Sequence, residues 1–99
     1  MKDIINKLNK IFDSRMRLGI MSVLMVNDWV EFKNMKILLD ATDGNLASHI
    51  KALEKNEYIE VRKVFVGKKP QTSYRVTKLG EKAFKSHLDA LEKLLGNRD

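Results

Sequence analysis

Between Leu39 and Thr77 the chain switches its apolar period from about 3.6 residues to about 2, and this switch restricts its folds more than any other feature. Thr42 and Asp43 are both good helix caps, and Gly44 loosens the turn that leads in. In the helix that follows, over residues 43–56, Leu46, Ile50, Leu53 and Glu57 share one side. Ser48, Lys51 and Lys55 point the opposite way, with Asn45 flanking them. Asn56 suits the left-handed backbone that ends helices. Ile59 to Val66 is then rich in β-branched and aromatic residues, Gly67-Lys68-Lys69-Pro70 reads as a turn, and Gln71 to Val76 returns with Tyr74 and Val76 on one face.

The flanking segments are helical in pattern. Ile4, Ile5, Leu8, Ile11 and Phe12 form one stripe on a short helix over residues 3–12. Asp13-Ser14 caps a second helix, roughly 14–26, apolar on more than one side and therefore central. Asn27-Asp28 breaks it, Trp29 to Phe32 reads as a short extended piece, and Lys33 to Leu39 as a short helix burying Met35, Leu38 and Leu39. Thr77 caps a last helix from Lys78 to about Leu95, its stripe made by Ala83, Phe84, Leu88, Leu91, Leu94 and Leu95 and its end by Gly96-Asn97.

A chain of 99 residues makes one domain, 1–99, with a modest core. With 43% hydrophobic and 32% charged residues it fits a globular protein, and without cysteine it has neither disulfides nor thiolate metal ligands. The N-terminus lacks a long apolar core and no run approaches the ~20 residues that span a bilayer, so a cytoplasmic protein is the default expectation. The net charge of +6 is unevenly spread. Residues 58–77 carry Arg62, Lys63, Lys68, Lys69 and Arg75 against Glu60 alone, and residues 1–18 hold a further excess, whereas residues 19–57 are net acidic. Concentrated positive charge attracts a polyanion, although it also serves simply as a solvated surface. Catalysis is not expected: there are only His49 and His87, no glycine-rich phosphate loop, and no nucleophile with a base and an orienting partner.

The pattern Thr42-Asp43-Gly44-Asn45-Leu46-x-x-His49-Ile50-x-x-Leu53-Glu54-x-x-x-Tyr58-Ile59, continued by Thr72-x-Tyr74-x-Val76-Thr77-x-x-Gly80-x-x-Ala83-Phe84, resembles the small winged helix-turn-helix transcriptional regulators related to the MarR and ArsR groups. The likeness covers roughly residues 14–85, and departs from the family in having Asn56-Glu57 where a glycine is usual. It implies a mainly α fold with a small β-hairpin wing and added terminal helices, and double-stranded DNA as the partner. Helix 43–56 would enter the major groove with Asn45, Ser48 and Lys51 at base edges and Lys55 nearby, and Thr42 and Gly44 at its N-terminus would face a phosphate. The wing, 62–75, would set Arg62, Lys63, Lys68, Lys69 and Arg75 on the backbone or minor groove. His49, at the edge of the buried side, is expected to be a partly buried, hydrogen-bonded histidine rather than a base contact or ligand.

ArsR relatives raise the question of a metal, but His87 and Asp89 point apart on a helix, so His87, Asp89 and Glu92 read as surface residues; no metal or cofactor is expected, and no residue identifies an effector site. The terminal stripes, with Ile4, Leu8, Ile11 and Phe12 on one helix and Phe84, Leu88, Leu91 and Leu95 on the other, exceed the needs of so small a core. They either pair with a second chain in a homodimer or cap their own monomer. The leading expectation is a homodimeric repressor; the alternative is a winged helix that binds a protein partner without sequence-specific DNA binding.

Overall fold

The computed structural model describes residues 1–96. Helix α1 is Lys2–Ile5, a 3-10 turn covers Lys10–Phe12, and α2 is Arg15–Met25. After the short strand β1, Val30–Glu31, come α3, Phe32–Leu38, and α4, Asp43–Lys55. Strands β2, Ile59–Val66, and β3, Lys69–Val76, lead to the long α5, Lys78–Leu94. The hairpin is therefore part of a three-stranded antiparallel sheet ordered β1-β3-β2, with Val30 opposite Tyr74 and Val61 opposite Tyr74 on the other side. The core is assembled mainly from α2, α3 and α4: Ile20, Met21, Leu24, Met35, Leu46 and Leu53 have no exposed surface. The central role expected of residues 14–26 follows from Ile20, Met21 and Leu24 lying on that core.

Each long helix starts where a hydroxyl can cap it. Ser14, Thr42 and Thr77 accept from the backbone N–H of Arg17, Asn45 and Gly80, respectively. Thr77 does more, since its Oγ1 donates to the Glu57 carbonyl at 2.7 Å and its N–H to the Tyr58 carbonyl at 3.0 Å. This stitches the start of α5 to the point where α4 hands over to β2. Gly80 makes the close approach possible, because a Cβ there would lie 2.0 Å from the Tyr58 carbonyl oxygen.

Five local expectations are corrected. Residues 3–12 do not form one helix: Asn9 is extended, caps the 3-10 turn by accepting from the Ile11 N–H, and gives its own N–H to His87 Nδ1 at 2.9 Å. The break lays Phe12 among Tyr58, Phe84 and His87, with ring centroids 5.5, 5.2 and 5.2 Å away. Leu38 is 64% exposed rather than buried, since seven residues of helix turn only Met35 inward while Leu39 rests on Gly19. The left-handed residue after α4 is Glu57, at φ 61, and Asn56 stays right-handed while its side chain donates to the Ala52 carbonyl. Lys69 and Pro70 belong to β3, paired with Val66 and Phe65, so the turn is Gly67-Lys68 with positive φ at Gly67 alone, as in a type II′ hairpin. His87 is a buried residue, 3% exposed, rather than a surface one. Asn97, expected to end α5 with Gly96, lies outside the described residues.

Two substitutions probe this framework. Gly80→Ala forces the α5 start away from Tyr58 and is expected to cost about 3 kcal/mol, measured by urea unfolding. Glu57→Gly relieves a left-handed side chain, and after the entropy of the added glycine is expected to gain ~0.5–1 kcal/mol, seen as a higher Tm.

Candidate nucleic-acid interface

Helix α4 buries Leu46, Ile50 and Leu53, leaves His49, Ala52 and Glu54 half-buried, and turns the rest outward. Thr42, Gly44, Asn45, Ala47, Ser48, Lys51 and Lys55 are all exposed. The Thr42 hydroxyl is engaged as the cap, and nothing stands within 4 Å of where a Gly44 side chain would begin, so the N-terminal turn is open to a large partner. Asp43, the one acid in that turn, is not the cap; it pairs with Lys36 Nζ of α3 at 2.9 Å. The pair lowers the charge penalty of bringing an anion to this end. Ala47, Ser48, Ile50 and Lys51 share a shallow cleft with Glu54 and with Tyr74 of β3, so the outward face of α4 runs directly into the sheet.

His49 sits where its pattern places it, half-buried, with Nδ1 2.8 Å from the Arg17 guanidinium of α2. As Arg17 can only donate, the ring is neutral at Nδ1 and accepts. Burial, and secondarily Arg17, hold its pKa below the ordinary 6.5. Arg17 Nε also donates to the Ile11 carbonyl, so one side chain ties the N-terminal segment, α2 and α4 together.

The wing cations divide into two groups. Arg75 is not free: it is paired with Glu60, lies 4.0 Å from Asp28, and stands over the Trp29 ring at 4.6 Å. Arg62 stands over the same ring at 4.3 Å. Both are therefore oriented by an aromatic platform next to β1, which sequence reasoning missed because the pairing joins residues far apart in the chain. Lys63, Lys68 and Lys69, by contrast, are exposed and make no ion pair among the described residues. Lys63 and Lys69 line a second cleft, between the wing and the start of α3, together with Lys33. Lys33 is a further cation of the same surface, and no local signal marked it.

Of the residues expected at a subunit interface, Phe12 and Phe84 are core residues of the chain itself, 1% and 4% exposed, and so are corrected. Ile4, Leu8, Ile11 and Leu91 are half-buried, while Leu88 on α5 and Leu95 just after its end are exposed.

A grooved, cation-flanked helix beside a β-wing defines a winged-helix DNA-binding protein, and comparison with known proteins agrees. Residues 16–95 match the model of the winged helix DNA-binding domain family, and the chain belongs to that family. It is 34% identical over 88 residues to an uncharacterized protein of Methanocaldococcus jannaschii, covering 89% of this chain and 96% of that one. A solved transcriptional regulator homologue from Pyrococcus horikoshii superposes with a TM-score of 0.83 at 33% identity, covering 95% of this chain and 91% of that one. A MarR family regulator from Silicibacter pomeroyi has the same fold, with a TM-score of 0.63 at 9% identity over 99% of this chain and 68% of that one.

The two histidines give the domain a pH dependence. Burial lowers the His87 pKa as well, against a smaller upward pull from Asp13. The folded state thus holds both protons less well than the unfolded chain. Stability is complete above pH 6.5, the ordinary value, and falls as pH drops below it until the folded-state pKa values are passed. Thermal melts between about pH 7.5 and about pH 5.5 are expected to show this loss. His49→Gln, whose carbonyl oxygen can still accept from Arg17, should show a smaller one.

Proposed function

We propose that this protein is a homodimeric transcriptional repressor that acts by occupying its DNA site. Helix α4 lies in the major groove, with Asn45, Ser48 and Lys51 reading base edges and Lys55 beside them. Thr42 and Gly44 present backbone N–H groups to a phosphate. Lys63, Lys68 and Lys69 contact the backbone along the wing, while Arg62 and Arg75 are held at its base. The observation that carries the reading is the division of labour on one surface. The outward face of α4 is polar and only mildly charged, and the cations that make no ion pair among the described residues flank it on the wing. The exposed Leu88 of α5 and Leu95, its C-cap about two turns further on, support a self-association surface, with the half-buried Leu91 between them. A two-fold pair would set its α4 helices about one turn of DNA, ~34 Å, apart.

Enrichment of bound duplexes from a random pool tests this, followed by titration of the selected site and a scrambled one. Asn45→Ala and Ser48→Ala are each expected to cost about 1–2 kcal/mol on the selected site and little on the scrambled one. Lys68→Ala with Lys69→Ala is expected to weaken both alike and lower the salt slope by roughly 2. Equal losses on both duplexes for the α4 variants, or an unaltered slope for the wing variant, would contradict the assignment.

A further inference from the structure

The tip of the wing is apolar as well as basic, and DNA contact through charge alone leaves that unexplained. Phe65 is 76% exposed and Val66 59% exposed, at the far end of β2. Pro70 lies opposite Phe65 in the β2–β3 register, and Lys68 and Lys69 adjoin them. An aromatic ring held in water at the end of a hairpin gains nothing for the folded chain.

Register places this ring on a particular side of the wing. Residues directly opposite one another share a face, and every second pair repeats it. Thus Val61–Tyr74, Lys63–Thr72 and Phe65–Pro70 follow one another along a single face. Tyr74, at the body end of that row, also closes the cleft with Ser48 and Lys51 of α4. Moving outward from α4, the face therefore presents Tyr74, then Lys63, then Phe65. Four residues of strand carry Phe65 beyond Tyr74, or ~13 Å at about 3.3 Å each. Tyr74 already abuts α4 in their shared cleft, so Phe65 stands on the order of half a turn of duplex out from that helix. Half a turn of B-DNA, the offset from major to minor groove, is about 17 Å. With α4 in the major groove, Lys63 falls at the intervening phosphates and Phe65 at the next minor groove.

We infer that Phe65, backed by Pro70, is an apolar wedge that enters the minor groove beside the site of α4, partly unstacks a base step and bends the duplex. Phe and Pro are among the residues that proteins use for this, and the lysines around the tip supply the charge complement of the groove. Flexible pyrimidine–purine steps would yield most easily, so the wing would read deformability where it makes no base-specific hydrogen bond. The inference rests on the DNA-binding reading of the same surface.

The test uses the full chain and duplexes of about 30 base pairs, end-labelled for energy transfer, with 2-aminopurine at TA steps. Wild-type protein is expected to raise end-to-end transfer and 2-aminopurine fluorescence on binding. Phe65→Ala, at an exposed position that folding does not need, should abolish both signals and weaken binding about tenfold, with the salt slope unchanged. Phe65→Leu, which keeps an apolar wedge, should retain most of the bend. Wild-type binding without bending or unstacking, or a Phe65→Ala protein that bends DNA as wild type does, overturns the wedge and leaves the DNA-binding reading standing. No binding to any duplex at low salt overturns both. Loss of self-association in Phe65→Ala, with bending intact, would assign the ring to a second copy of the chain and overturn the wedge.

Discussion

The geometry of the interface depends on one backbone crossing. Glu57 and Tyr58 leave α4 where Thr77 and Gly80 begin α5, and the two strands of the wing start and end there. Thr77 donates to both carbonyls, and the missing side chain of Gly80 lets the chains touch. Because the hairpin is fixed at its root, its exit angle relative to α4 is fixed too. The left-handed turn at Glu57 is part of this crossing, and its backbone strain is tolerated because Thr77 holds the carbonyl that follows.

A second layer of contacts braces α4 from behind. Phe12 fills the space among Tyr58, Phe84 and His87, and Asn9 bonds both His87 and Tyr58. Arg17 carries the same N-terminal segment across α2 to His49 on α4. The first residues of the chain are thus structural parts of the DNA-binding domain. Both imidazoles in this layer work only when neutral, which joins its integrity to pH.

Much of this was legible in the sequence, and what was legible is local. The caps at Ser14, Thr42 and Thr77, the buried triplet Leu46, Ile50 and Leu53, and the β-branched run from Ile59 depend on neighbours within a few residues. So did the exposure of Asn45, Ser48 and Lys51. The features that were not legible come from residues distant in the chain. Nothing near Trp29 announces Arg62 and Arg75, which reach it only once β1 pairs with β3. Lys33 joins Lys63 and Lys69 only through tertiary placement. The stripe over residues 3–12 had the spacing of a helix, yet Asn9 and the aromatic pocket for Phe12 broke it, since a polar bond to His87 and burial of a ring outweigh a few helical hydrogen bonds.

Everything proposed for this molecule turns on whether one surface, α4 with the exposed lysines of the wing, grips duplex DNA. Fluorescence anisotropy of a labelled random duplex, titrated with the protein at several salt concentrations, tests it most directly. The expected result is binding whose log affinity falls linearly with log salt, with a slope of roughly −4 to −6 per chain, from a handful of phosphate contacts. A protein that leaves the anisotropy unchanged even at low salt, while remaining folded, would contradict it.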